Sequence, residues 1–382
     1  MSVLITFVAA VFVFSAVIAI HEFGHFIVAK LCGVQVNEFS IGMGPVLLKK
    51  MHKGTQYSLR ALPVGGFVAL EGEESPESQQ AQADREEPES GDAAPETEQP
   101  DLPGVPSDAE EKTVGIPLNE APVWQRLLVM VAGAAMNFVL GFVVMVILIA
   151  AQNEPITSKV IYKIEDGALC GQTGLQAGDK VLAVNGRRCF VANDMLYELT
   201  RTEDYAPSFT VLRDGEKVEL PRVQFDTWQD DNGETHMSLG FTVYGIRKTP
   251  LNVLREAGNS VLYYGRIIFT SLADLLRGRE SINDLTGPVG IVTAIGQAAS
   301  YGWQDLLELL VLITVNLGIF NLLPFPALDG GKVVFLLIEG VTGHAVPEKI
   351  QSGLTLAAFA LLFGLMIFAT YNDILRLVTG AM

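Results

Sequence analysis

"AVIAIHEFGHFIVAKLCG", residues 16–33, sets two histidines and a glutamate at the end of an otherwise apolar run that begins at Val3. A run of that length reads as a helix crossing a bilayer, whose hydrocarbon takes about 20 apolar residues to span. Ionisable side chains at that depth are costly unless something compensates them. His21-Glu22-Phe23-Gly24-His25 is an H-E-x-x-H sequence. On a helix, residues four apart differ by about 40° around the axis, so both imidazoles emerge on one face, one turn apart. That spacing suits two nitrogens meeting one tetrahedral cation. Glu22, displaced by about 100°, stands beside the ion, where a carboxylate can take a proton from an activated water.

The rest of the chain supports a membrane setting. It has 382 residues, 49% of them hydrophobic, and a positive mean hydropathy. Four apolar segments stand out: Val3 to about Val28, Leu127–Ala151, about Leu306–Leu323, and Gly353–Tyr371. The first has no basic region before it and no small-x-small cleavage site ahead of the histidines, so it is expected to be a retained helix rather than a signal peptide. Net charge is −17, which argues against a nucleic-acid partner, but the charge is uneven. Residues 71–112 hold fifteen acids, two bases and six prolines, so −13 of the total lies there. Such a segment cannot bury enough surface to offset its ordering entropy and is expected to be a disordered insertion. Cys32, Cys170 and Cys189 follow no metal-binding spacing; Cys170 and Cys189 fall in one soluble region, where they could pair if it is extracytoplasmic.

Lys30, Lys49, Lys50, Lys53 and Arg60 follow the first apolar segment and Arg126 precedes the second, whereas only Lys159 and Lys163 lie near the far side of the second. Lysine and arginine set orientation, so the 31–124 loop reads as cytoplasmic, with both termini and the 154–247 region outside. Residues 251–280 are long and fairly apolar but carry Arg255, Arg266, Asp274 and Arg277, which fits an amphipathic surface helix better than a span.

Two histidines and a water leave tetrahedral zinc one protein ligand short. The candidate third ligand is Asp329, in "NLGIFNLLPFPALDGG", residues 316–331. Pro324 and Pro326 break a helix there, and a carboxylate on broken helix at membrane depth is tolerated where it lines a cavity or binds something. His25 and Asp329 both fall at the cytoplasmic ends of their segments, so they can meet.

H-E-F-G-H in a first transmembrane helix with N-x-x-P-x-P-x-L-D-G in a later one resembles the site-2 proteases, intramembrane zinc metalloproteases. Asn321, Pro324, Pro326, Leu328, Asp329 and Gly330 stand in register with that pattern, with further support from "GPVGI" at 287–291 and Gly133-x-x-x-Asn137. The resemblance implies a polytopic helical membrane protein of four transmembrane helices that binds Zn2+ through His21, His25 and Asp329, with Glu22 as general base. It implies that Asn321 holds the substrate or the developing oxyanion; an interhelical hydrogen bond is the competing role for Asn321 and the favoured one for Asn137. Residues 34–70 alternate and turn like hairpins; the resemblance makes them a membrane-associated sheet whose Gly42-Met43-Gly44 meets an extended substrate strand.

The implied segments are 1–30 for the first helix, 31–70 for the hairpins, 71–122 for the insertion and 123–152 for the second helix. There follow a PDZ domain at 155–247, surface helices at 250–300, the third helix at 304–331, a cytoplasmic connection at 332–350 and the fourth helix at 353–374. "GLQAGDKVLAVNG", residues 174–186, carries the PDZ resemblance. The implied substrates are single-pass membrane proteins already cut by a site-1 protease, such as anti-sigma factors or signal-peptide remnants, in a bacterial cytoplasmic membrane. Two other classes use the same features: a metal transporter, which leaves Glu22 without a task, and an inactive PDZ scaffold, which has no need of an intact ligand set.

Overall fold

The structure, a computed structural model, describes residues 3–73, 115–230, 233–279 and 281–379. The expected insertion falls mostly on residues 74–114, outside the described residues. The chain divides into two compact units, residues 1–140 with 281–382 and residues 141–280.

α1 (Val3–Leu31), α2 (Val123–Ala151), α7 (Trp303–Leu322) and α9 (Glu348–Thr379) are each long and apolar enough to span a bilayer. The chain is a multi-pass membrane protein. α2 meets both α1 and α7, and small residues allow the close approach, as membrane helices require. A Cβ on Gly24 of α1 would overlap the Ala132 carbonyl, and one on Gly318 of α7 would sit 3.2 Å from the Ala134 carbonyl. Thr314 Oγ1 donates to the Asn137 carbonyl across the same contact (3.2 Å).

Two segment boundaries differ from the sequence reading. α7 stops at Leu322, because Leu323 is extended and prolines follow at 324 and 326. Asp329 then opens a separate helix, α8 (Asp329–Thr342), closed by Gly343 in the left-handed region (φ 73°), so most of the expected 332–350 connection is helical. Within the 250–300 stretch, expected to hold amphipathic surface helices, the C-terminal part is packed. α6 (Pro288–Tyr301) packs inside the first unit: Gly296 rests on Thr6 of α1, and Asp373 of α9, wholly buried, accepts from the Gly287 and Gly290 amides (3.1 and 2.8 Å). A carboxylate at a helix N-terminus satisfies donors that have no intrahelical partner, which explains an acid at that depth.

β1 (Val36–His52) and β2 (Thr55–Leu70) form a sheet that doubles back on itself. Glu38 to Ile41 each have two partners, 66–69 on one side and 56–59 on the other, while 48–52 pair with 55–59. The rungs therefore run 66–70, 36–41, 55–60, 46–52. This sheet lies along α1: Phe26 packs on Phe39 and Tyr57 (ring centroids 4.9 and 5.9 Å), and Ser15 Oγ donates to the Pro63 carbonyl. Ser15 is six residues before His21, about 9 Å along the axis, so the sheet reaches past the histidines.

In the second unit the strand order is β10 (Phe241–Ile246), β3 (Ile156–Ile164), β4 (Lys180–Val184), β6 (Phe209–Arg213), β7 (Glu216–Leu220), with β5 (Arg187–Arg188) on β4 and a separate β8 (Asp226–Gln229)–β9 (Thr235–Ser238) hairpin. α3 (Leu169–Gln172), α4 (Ala192–Thr200) and α5 (Pro250–Leu276) complete it. Asn185-Gly186 and Asp214-Gly215 turn with positive φ at both residues, as tight hairpins demand. Asp179, wholly buried, takes a two-point bond from Arg213 (2.7 Å each), which fixes the turn of the 174–179 stretch. Cys170 and Cys189 are free and buried, their thiols directed at different carbonyls, Leu239 and Arg187. Burial raises the Cys170 thiol and pushes that of Cys189 up to about 11. At pH 8 the Cys189 thiolate fraction is then about 0.1%, so native protein should resist iodoacetamide at both positions while urea-unfolded protein labels. Peptide mass spectrometry after timed alkylation checks this; rapid native labelling of Cys189 overturns it.

Candidate metal centre

α1 supplies His21 and His25, both 8% exposed; the start of α8 supplies Asp329. Asp329 Oδ2 lies 3.2 Å from His21 Nε2 and 3.3 Å from His25 Nε2, and the two Nε2 atoms are 3.3 Å apart. The three atoms form an almost equilateral triangle. Around zinc with N and O bonds of about 2.0–2.1 Å, tetrahedral ligand atoms stand about 3.3–3.4 Å apart. The triangle has that edge length.

The protonation states agree. His25 Nδ1 lies 2.8 Å from the Val129 carbonyl, which can only accept, so Nδ1 carries the proton and Nε2 offers its lone pair. Asp329 Oδ2 is buried without a hydrogen-bond donor. Lone pairs aimed at one point repel unless a cation stands there, so the donor set fits a divalent ion.

The shell around the ligands comes largely from α2. Asn137, wholly buried, sets its amide 3.3 Å from His21 Nδ1, and its Oδ1 has no partner. Turning that amide over, an assignment the network decides, lets Oδ1 accept from His21 Nδ1–H and leaves Nε2 for the ion. Asn321 Nδ2 lies 3.3 Å from His21 Nε2. Sequence reasoning assigned Asn137 an interhelical bond, and the bond it makes is to a candidate ligand. It missed the Val129 carbonyl, which no side-chain pattern can reveal, and the role of Gly133. A Cβ on Gly133 would overlap His25 Nε2 and come within 2.7 Å of His21 Cε1. Gly133→Ala should therefore push both rings off the triangle and weaken zinc retention by about 10–100-fold, the scale of losses outside the ligand set; competition with a graded chelator measures it.

Glu22 is half-buried beside the triangle, and among the described residues no hydrogen bond or ion pair holds it. Gly42 and Gly44 have φ of 86° and 83° and bracket Met43, which is 55% exposed. Leu323 and Phe325 carbonyls crowd Gly330 and Gly331, where any Cβ would overlap them. That close approach seats Asp329 at the start of α8.

The family model for Peptidase family M50 matches residues 9–365. The regulator of sigma-W protease RasP of Bacillus subtilis is 28% identical over 97% of this chain and 99% of its own. Zinc metalloproteases RasP of Shouchella clausii and Geobacillus kaustophilus are 30% and 31% identical, covering 99% and 96% of this chain and 100% and 97% of theirs. Two candidate ligand atoms from α1 and one from the start of α8, on a chain matched almost end to end, place this protein in peptidase family M50, the site-2 metalloproteases.

Proposed function

We propose that the protein cleaves the transmembrane segments of single-pass membrane proteins after an earlier cut has removed their outer portion, with Glu22 as general base and His21, His25 and Asp329 as the ligands of its zinc. The observation that carries this is the triangle itself, three lone pairs from α1 and the start of α8 at tetrahedral spacing. When bound, zinc polarises the scissile carbonyl and lowers the pKa of the attacking water.

This chain's residues do the remainder. Glu22, untethered, takes the water's proton and hands it to the leaving amine. Asn321, buried against the His21 ring, is the donor for the carbonyl oxygen as charge develops on it. A substrate helix must unwind before its amide is reachable, and the 36–70 sheet beside α1 offers an extended strand a place to pair, with Gly42-Met43-Gly44 at its corner. Residues 155–247, within the second unit, act as a PDZ domain outside the membrane, consistent with the strand order and the 174–186 turn pattern. The active site then faces the cytoplasmic side, where Lys49, Lys50 and Lys53 are exposed. Anti-sigma factors and signal-peptide remnants fit this substrate class, and sigma-W regulation is named for the Bacillus subtilis relative.

Detergent-purified protein, with its zinc counted by atomic emission, should carry one ion per chain and cut a model single-span substrate, and mass spectrometry should place the cut inside the span. Cuts only outside the span, or zinc-loaded protein that cuts nothing, would overturn the reading.

A further inference from the structure

Arg60 contributes to the positive-inside count in the sequence, yet it is 4% exposed and paired inside the sheet with Glu38, 1% exposed (Nη2 to Oε1, 2.8 Å). Its other donors fan out. Nε bonds Ser40 Oγ (3.0 Å) and Nη1 bonds the Gly44 carbonyl (3.1 Å), while the guanidinium lies 4.9 Å over the Phe67 ring. Ser58 also donates to Glu38 Oε1. One rigid fork thus ties the strand at 38–40 to the corner at 44.

The location is informative. The ladder runs through Ile41–Leu59, has a rung at Met43–Leu62, and resumes at Val46–Arg60, so Gly42, Gly44 and Pro45 carry no rung. Two glycines at positive φ are the least constrained residues a chain can use, and the Arg60 bond to Gly44 O ties this corner to the strand at 38–40. Burying an ion pair rarely adds stability over an apolar pair, so this one calls for a task beyond holding the sheet.

We propose that Arg60 is a positioning residue for substrate: balanced by Glu38, its guanidinium fixes the Gly44 carbonyl and so the Gly42-Met43-Gly44 corner that meets the substrate strand. This rests on the reading that the corner touches substrate. Arginine is needed because its planar fork serves three acceptors at once, which a lysine ammonium on a flexible stem cannot do.

The test compares wild type, Arg60→Lys and the charge-neutral pair Glu38→Met with Arg60→Met, each scored for bound zinc, unfolding temperature, and KM and kcat on the model single-span substrate. Expected is a double variant with wild-type zinc and unfolding temperature, kcat kept within about twofold, and KM raised about tenfold or more. Arg60→Lys should move KM the same way, and it stands alone as the test if the double variant loses its zinc. A merely structural pair predicts instead that the double variant regains wild-type KM, which overturns the proposal, as does a wild-type KM in Arg60→Lys.

Disulfide cross-linking from Met43→Cys, in a Cys32→Ser background, to a substrate cysteine near the cut site separates the two readings. Absence of that cross-link with native Arg60 overturns the corner reading and the proposal with it. A cross-link that is strong with native Arg60 and weakened several-fold by Arg60→Lys supports both. A cross-link unchanged by Arg60→Lys keeps the corner reading and overturns the role of Arg60.

Discussion

Glu22→Gln should leave one zinc per chain and reduce the cleavage rate by about 10²–10⁴-fold, the range over which a positioned proton acceptor contributes. Glutamine has nearly the shape of glutamate but cannot take a proton. Glu22 is not in the triangle formed by His21, His25 and Asp329, so its charge is not needed to hold the ion. Nothing among the described residues ties it down, so the substitution breaks no structural bond. The measurement pairs zinc content with single-turnover cleavage of the model single-span substrate. Cleavage within about threefold of wild type would remove Glu22 from the role of base. Loss of zinc along with activity would place it in the ligand set instead.

What the sequence could and could not reveal follows from the range of the interactions involved. His21 and His25 were legible because helical periodicity alone puts them on one face, and the structure brings their Nε2 atoms to 3.3 Å. Asp329 was legible because an acid after two prolines in an apolar segment is costly at that depth unless it binds something. Val129 and Gly133 were not. One acts through a backbone carbonyl that every residue has, the other through the absence of a side chain, and neither leaves a pattern until α2 is known to lie against α1.

The pairing of Arg60 was hidden for a related reason: only the folded sheet brings it to Glu38, twenty-two residues earlier. α6 was hard to place because its sequence neighbour α5 carries charges that suggest a surface, while the carboxylate that caps α6, Asp373, comes from the far end of the chain. The break of α7 at Leu322 was visible in its prolines. That Asp329 would begin a new helix was not, because "DGGKVVF" opens with two glycines, poor helix formers, which are retained for the close packing of that turn.

Asp329→Ala should do what Glu22→Gln does not and strip the ion. It removes the one carboxylate of the proposed ligand triangle and leaves two imidazoles, one short of the three protein ligands that catalytic zinc uses. Retention against a chelator should fall by well over the roughly 100-fold that marks the upper end for groups outside the ligand set, and cleavage should fall with it. Asp329→Asn keeps the shape and one oxygen but not the charge, so it should lie between wild type and alanine. Excess zinc should restore part of the activity of Asp329→Asn, and less of that of Asp329→Ala. The contrast separates holding the ion from using it: zinc without cleavage for Glu22→Gln, neither for Asp329→Ala. Dialysis of all three proteins against the same chelator series, followed by zinc counting and cleavage, reads both properties at once. If Asp329→Ala keeps wild-type zinc through that series, the third ligand lies elsewhere and the triangle of 3.2, 3.3 and 3.3 Å edges is a packing coincidence.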